Sequence, residues 1–195
     1  MKRKVRSIVI SAIIIIVGAG TYVYLGTHPG APSNANVPLE PQTMGNLDLK
    51  SSTFRDGDPI PAKFTCDGDN VNPMLEIRNA PRGTRSFALI VDDPDASNGG
   101  VWDHWLLWNI DPKTQYIMED NIPFGAVQGT NSFGKERYGG PCPPRGNAPH
   151  RYMFKLYALD TMLNLAQGAT KAELEAAIRG HVLEQTTLMG KYGRK

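Results

Sequence analysis

Past residue 46, the apolar runs of this chain are short and end repeatedly at turn-forming clusters, which limits it to folds built from brief strands. Residues 86–91 (SFALIV) and 105–110 (WLLWNI) are continuous apolar stretches of strand length, as expected for strands covered on both faces. Residues 152–159 (YMFKLYAL) put Tyr152, Phe154, Leu156 and Ala158 on one face and Lys155 on the other. Residues 47–52 alternate Leu47 and Leu49 with polar neighbours, and residues 74–77 form a shorter candidate. Between them stand Asp56-Gly57-Asp58-Pro59, Asp67-Gly68-Asp69-Asn70, Ala80-Pro81-Arg82-Gly83, Asn98-Gly99-Gly100 and Asp111-Pro112. This punctuation predicts a mostly β fold, an antiparallel sandwich or barrel. Helix is expected near the C-terminus. Thr170 and Glu173 make a capping box ahead of an apolar stripe of Leu174, Ala177 and Ile178. A second short helix is expected over residues 181–188, stopped by Gly190.

The N-terminus follows a different rule. Residues 8–25 (IVISAIIIIVGAGTYVYL) carry no charge over 18 positions, near the lower limit for a helix crossing a bilayer. The preceding KRKVR cluster should stay cytoplasmic, with Tyr22 and Tyr24 at the far interface. The expected organisation is a transmembrane signal-anchor over 1–26, a flexible Pro/Gly/Asn spacer over 27–46 and a folded domain over 47–195 outside the cytoplasm. The alternative is a signal peptide cleaved near Gly18-Ala19-Gly20, which would release the domain. Both readings export the protein.

Charge narrows the partners. The formal net charge is +2, yet Lys2, Arg3, Lys4 and Arg6 cluster at the N-terminus. Removing these four from the 21 basic residues leaves 17 against 19 acidic ones, so the body is faintly acidic and has no electrostatic reason to bind nucleic acid.

Two clusters could carry chemistry. Asp92-Asp93-Pro94-Asp95-Ala96-Ser97 closes one apolar strand, and Trp102-Asp103-His104-Trp105 opens the next. Carboxylates at a buried strand end are costly unless solvated, paired or functional. The second cluster is Tyr138-Gly139-Gly140-Pro141-Cys142-Pro143-Pro144, followed by His150-Arg151-Tyr152. Its prolines make a stiff loop suited to wall a pocket, and its glycines would let backbone N–H groups approach a ligand.

The order DDPDAS, WDHWLLWNI and FGKERYGGPCPPRGNAPHRYMFKLYAL resembles the phosphatidylethanolamine-binding proteins, also called Raf-kinase-inhibitor-like proteins. FTCDGDNVNP and GHVLEQTTLMGKYGR look like the bacterial branch, and the likeness spans residues 47–195. It implies an antiparallel β-sandwich with a pocket at one end for phosphate-like anions or phospholipid head groups. The matching ligand-binding positions are Asp93, Asp95, His104, Gly140, Pro141, His150 and Tyr152, with Trp102 and Ser97 as candidate walls. Ser97 stands where the family often has proline.

Asp93 and Asp95 would repel an anion unless a protonated His104 or His150 neutralised them, so affinity is expected to weaken as pH rises through the histidine pKa values. Arg151 fits an ion pair that braces the sandwich better than a ligand contact. The two cysteines, Cys66 and Cys142, either pair in an oxidising compartment or leave Cys142 as a nucleophile beside His150. The residue spacing matches no tight metal-ligand pattern, and no cofactor is implied. The leading function is a binding module, with modulation of a partner protein as an extension. The alternatives are a hydrolase using Asp93 and His104 or Cys142, and an inhibitor of an exported protease.

Overall fold

The computed structural model describes residues 46–96 and 99–195. The anchor expected over 1–26 and all but the last residue of the spacer lie outside the described residues. Among the described residues no helix is long and apolar enough to cross a membrane.

Eight strands and one α-helix are formed among these residues: β1 (Asp48–Ser51), β2 (Leu75–Arg78), β3 (Ser86–Asp93), β4 (Trp102–Ile110), β5 (Tyr116–Ile117), β6 (Val127–Gln128), β7 (His150–Leu159), α1 (Lys171–Ile178) and β8 (Val182–Tyr192). They make a three-stranded sheet, β1-β2-β5, and a five-stranded sheet, β6-β4-β3-β7-β8. All the strand pairings are antiparallel.

The apolar runs find partners on both sides of the larger sheet. Phe87, Leu89 and Val91 of β3 join Trp105, Leu107, Phe154 and Leu156 in a core shared with Leu49, Leu75 and Ile77 of the smaller sheet. Ala88, Ile90, Leu106 and Trp108 face the other way, against Leu174 and Ile178 of α1. Every residue of β3 is therefore buried, the reason its sequence runs apolar without alternation. The β4 strand keeps both faces in register through a bulge at Asn109, whose φ is 55° and whose side chain binds the N–H and the carbonyl of Leu163.

The capping box forms as expected: the Thr170 hydroxyl accepts from the Glu173 N–H, and the Glu173 carboxylate accepts from the Thr170 N–H. The helix expected over 181–188 does not form. That stretch is β8, paired with β7 from Val182↔Leu159 to Tyr192↔His150. The long ladder outweighs a weak local preference, and Thr186 and Thr187 suit a strand. Gly190 does not stop a helix. A Cβ there would lie 2.4 Å from Ile60, so the glycine lets β8 pack against the loop crossing it.

Candidate functional site

The β3–β4 pairing has a second irregularity, at the end of the sandwich. Val91 pairs with Trp105 and Asp92 with Asp103, leaving His104 as an extra, unpaired residue. The bulge resets the side-chain alternation. Trp105 enters the core between the sheets, Asp103 turns to Lys171 on the helix side, and Trp102 and His104 line a cavity. This cavity, of about 240 Å³, is also lined by Asp93, Ala96, Phe133, Cys142, Pro143, Pro144, His150 and Tyr152.

Each polar wall has a defined state. The Asp93 carboxylate accepts the Asp95 N–H at Oδ1 (2.8 Å), an Asx turn that curls the chain beyond β3. Its Oδ2 meets His150 Nδ1 at 2.8 Å, and both residues are buried. His104 Nδ1 donates to the Gly139 carbonyl at 2.5 Å, leaving Nε2 as the acceptor nitrogen. Burial pushes the His104 pKa below the usual histidine value, outweighing the Gly139 carbonyl and the nearby Asp93, Asp103 and Asp92 charges. His104 is thus a neutral ring near neutrality, and of the two expected cations only His150 stands against a carboxylate within the cavity.

Tyr152 packs edge-on against His104, with centroids 5.1 Å apart. Its phenol is pushed far above the usual range by burial, so it stays protonated and can donate. Tyr152 is 1% exposed, and its hydroxyl has no hydrogen-bond partner among the described residues. A buried hydroxyl without a partner costs on the order of 1–3 kcal/mol.

The other candidates fall elsewhere. Asp95 turns away from the cavity and binds Arg151 at two carboxylate oxygens, with Arg151 Nε at 2.9 Å and Nη2 at 2.7 Å. That pairing holds the Asp95 pKa down to about 2. Arg151 therefore braces, and Asp95 is a loop clamp. Gly140 and Pro141 do not line the cavity, and their polar groups are engaged within the protein. The Gly140 N–H donates to Asn70 Oδ1, the Gly139 N–H to the His104 carbonyl, and the Pro141 carbonyl accepts from Cys66. A Cβ on Gly140 would come within 2.4 Å of the Phe64 carbonyl oxygen, so what approaches this glycine closely is protein backbone. Ser97 lies outside the described residues.

Cys66 and Cys142 form a disulfide with Cα atoms 5.4 Å apart. It fixes the proline loop against the Ala62–Phe64 turn and removes Cys142 as a thiolate nucleophile. No group of acidic, histidine and cysteine side chains that could hold a metal occurs among the described residues.

Phe133 was not among the sequence candidates. It stands edge-on to Trp102 and His104 at centroid distances of 5.4 and 5.5 Å. Asn131 holds its loop: Oδ1 accepts the N–H groups of Phe133 and Lys135, while Nδ2 donates to the carbonyls of Arg137 and His104. The only local sign is an Asn two residues before an aromatic-glycine pair, a common turn start.

Two antiparallel sheets with a histidine-bearing bulge and a cavity at one end define a class of β-sandwich in which the loops of one end build the site. The chain belongs to the phosphatidylethanolamine-binding protein family, whose model matches residues 50–193. A UPF0098 protein of Pyrococcus horikoshii is 47% identical over 151 residues, covering 74% of this chain and 76% of its own. Among solved structures, a phosphatidylethanolamine-binding protein homolog from Chlamydia trachomatis superposes with a TM-score of 0.72 at 40% identity, over 76% of this chain and 98% of that one. E. coli YbcL, described as a member of the mammalian family, gives a TM-score of 0.73 at 32% identity, over 76% and 99%.

Proposed function

We propose that the chain is an extracytoplasmic binding protein whose end cavity takes a small phosphate-like anion or the head group of a phospholipid. The observation that carries this reading is the Tyr152 hydroxyl, a buried donor with no protein acceptor, set beside the Asp93–His150 pair. A ligand oxygen placed there would satisfy it. The walls of Trp102, Phe133, Pro143 and Pro144 would exclude water and strengthen that bond. The volume suits a head group rather than a whole lipid. The extracytoplasmic part of the reading is supported by the disulfide, which fits an oxidising compartment, and by the uncharged segment over 8–25 behind KRKVR, which has the pattern of an export address.

Calorimetric titration with phosphoethanolamine tests the reading. Tyr152→Phe should weaken binding about tenfold, the worth of one buried hydrogen bond, while leaving the stability of the free protein unchanged or slightly raised. Equal affinity in the two proteins overturns it.

A further inference from the structure

The bulge that aims His104 into the cavity has a competitor. Val91 pairs with Trp105, so an unbroken antiparallel ladder would next pair Asp92 with His104 and Asp93 with Asp103. Strand alternation would then put the His104 ring under α1 and the Asp103 carboxylate into the cavity beside Asp93. The observed register, Asp92↔Asp103 and Asp93↔Trp102, does the opposite. It also sets two carboxylates directly across from each other, which destabilises a ladder unless cations meet them.

The cation that meets both comes from α1. Lys171, the first residue of the helix, places its ammonium 2.6 Å from Asp92 Oδ2 and 3.2 Å from Asp103 Oδ1. Asp103 Oδ1 is buried without a hydrogen bond among the described residues, and this ammonium is the charge set against it. Lys155 of β7 reaches Asp92 at 2.7 Å, and the half-exposed Glu175 stands 3.9 Å from Lys171. The helix itself gains nothing from a lysine here, because the macrodipole disfavours a cation at an N-terminus. Its gain is the pair of aspartates. In the observed register two ammonium groups under α1 face two aspartates. In the unbroken register they would face one, and the cavity would hold the other beside Asp93.

We propose that Lys171 is a positioning residue, which through Asp103 selects the bulged register and so turns Trp102 and His104 to the cavity. Ser132 passes the constraint on to the neighbouring Phe133. Its Oγ accepts the Asp103 N–H, and its own N–H donates to the Asp103 carbonyl, each at 2.9 Å. The consequence for a ligand rests on the binding reading above, whereas the consequence for the His104 ring does not.

The full-length, disulfide-intact protein labelled with nitrogen-15 at histidine tests this by NMR, with His104→Gln to assign the ring among the four histidines. In the parent, donation from Nδ1 to the Gly139 carbonyl fixes one tautomer. Asp103→Asn gives the two registers the same charge under α1, and Lys171→Met removes the cation that chooses between them. Each should move the His104 nitrogen shifts towards the average of two tautomers and weaken phosphoethanolamine binding about tenfold in calorimetry. Lys171→Arg should keep both as in the parent. Lys155→Met strips Asp92 of one cation but leaves Asp103 paired. It should lower the melting temperature while the His104 signals and the affinity stay in place. Unmoved His104 shifts in Asp103→Asn overturn the positioning role. An equal movement in Lys155→Met also overturns it, as a general loosening of the sheet. If Lys171→Met does not fold, Asp103→Asn decides alone. If the parent binds no phosphoethanolamine, the binding reading falls and the nitrogen shifts still decide the role of Lys171.

Discussion

On the helix side of β3, Asp92 is wholly buried, and its Oδ2 receives Lys155 at 2.7 Å and Lys171 at 2.6 Å. One residue further, on the sandwich side, Asp93 is nearly as buried but receives, among the described residues, only the His150 ring and one backbone N–H. Burial works to lower the Lys171 pKa, yet the Asp92 hydrogen bond and the Asp92 and Asp103 charges outweigh it, so the ammonium stays charged. The two carboxylates differ in geometry, not in residue type. Strand alternation sends Asp92 under α1, where two cations share its Oδ2 while its buried Oδ1 has no hydrogen-bond partner among the described residues, and Asp93 to an open end, where part of its surroundings is left for a guest. A buried acid surrounded by its own cations is a structural joint. A buried acid facing a cavity is available to a ligand.

The two sides are also fastened differently, and breaking the fastenings separates them. The sandwich-side wall is held covalently, by a bridge closing a loop of sequence separation 76. Replacing Cys66 and Cys142 together by serine should cost about 4.5 kcal/mol in the chain-entropy model, the largest effect expected, read from urea denaturation. The same variant should lose ligand affinity, because Cys142, Pro143 and Pro144 are one wall of the cavity. Stability unchanged after removal of the bridge would show that the proline loop is held by its hydrogen bonds alone.

Next in size is the comparison of the two acids. Asp92→Asn leaves two ammonium groups against a neutral amide and should cost about 3 kcal/mol, with binding affected only through the fold. Asp93→Asn keeps an acceptor for the Asp95 N–H and should cost about 1 kcal/mol, while changing ligand affinity much more. Urea denaturation and phosphoethanolamine titration on both variants decide it. Equal destabilisation by the two would erase the distinction between joint and site.

That distinction was half legible in the sequence. The strands over 86–91 and 105–110 could be read because both faces are covered, which writes itself as continuous apolar runs, and the strand over 152–159 because its buried positions alternate with half-buried ones. The end of the chain could not be read this way. Val182 and Leu183 are exposed, the outer face of β8 is polar, and its strand character comes from the ladder to β7, a non-local cause. Asp93, His104 and His150 could be picked out as polar residues abutting apolar strands, but their orientations depend on a bulge that no local pattern marks. Gly140 poses the reverse question. A glycine signals close approach, and the sequence does not say whether a ligand or the Phe64 backbone is approaching. Phe133 escaped because its place is set by Asn131, through bonds reaching back to the β4 backbone.

A third carboxylate of the same segment gives the smallest effect and a pH-dependent one. Asp95 sits two residues beyond Asp93, partly exposed, and its pKa is held down to about 2, first by the Arg151 side-chain hydrogen bond and with further help from the Arg151 N–H. Because the folded pKa lies below the ordinary aspartate value near 4, the pair contributes fully above about pH 4. Its contribution is lost as pH falls from there towards 2, where the folded protein must also take up the proton. Solvent screening limits the amount to about 1 kcal/mol or less. Asp95→Asn should therefore lower stability slightly at pH 6 and differ less from the parent at pH 2.5, a convergence visible in thermal melts across that window. Since Asp95 faces away from the cavity, the same variant should keep its phosphoethanolamine affinity at neutral pH. If affinity fell as far as it does in Asp93→Asn, the Arg151 clamp would be part of the binding machinery, and the boundary drawn here between Asp93 and its neighbours would move outward by one turn.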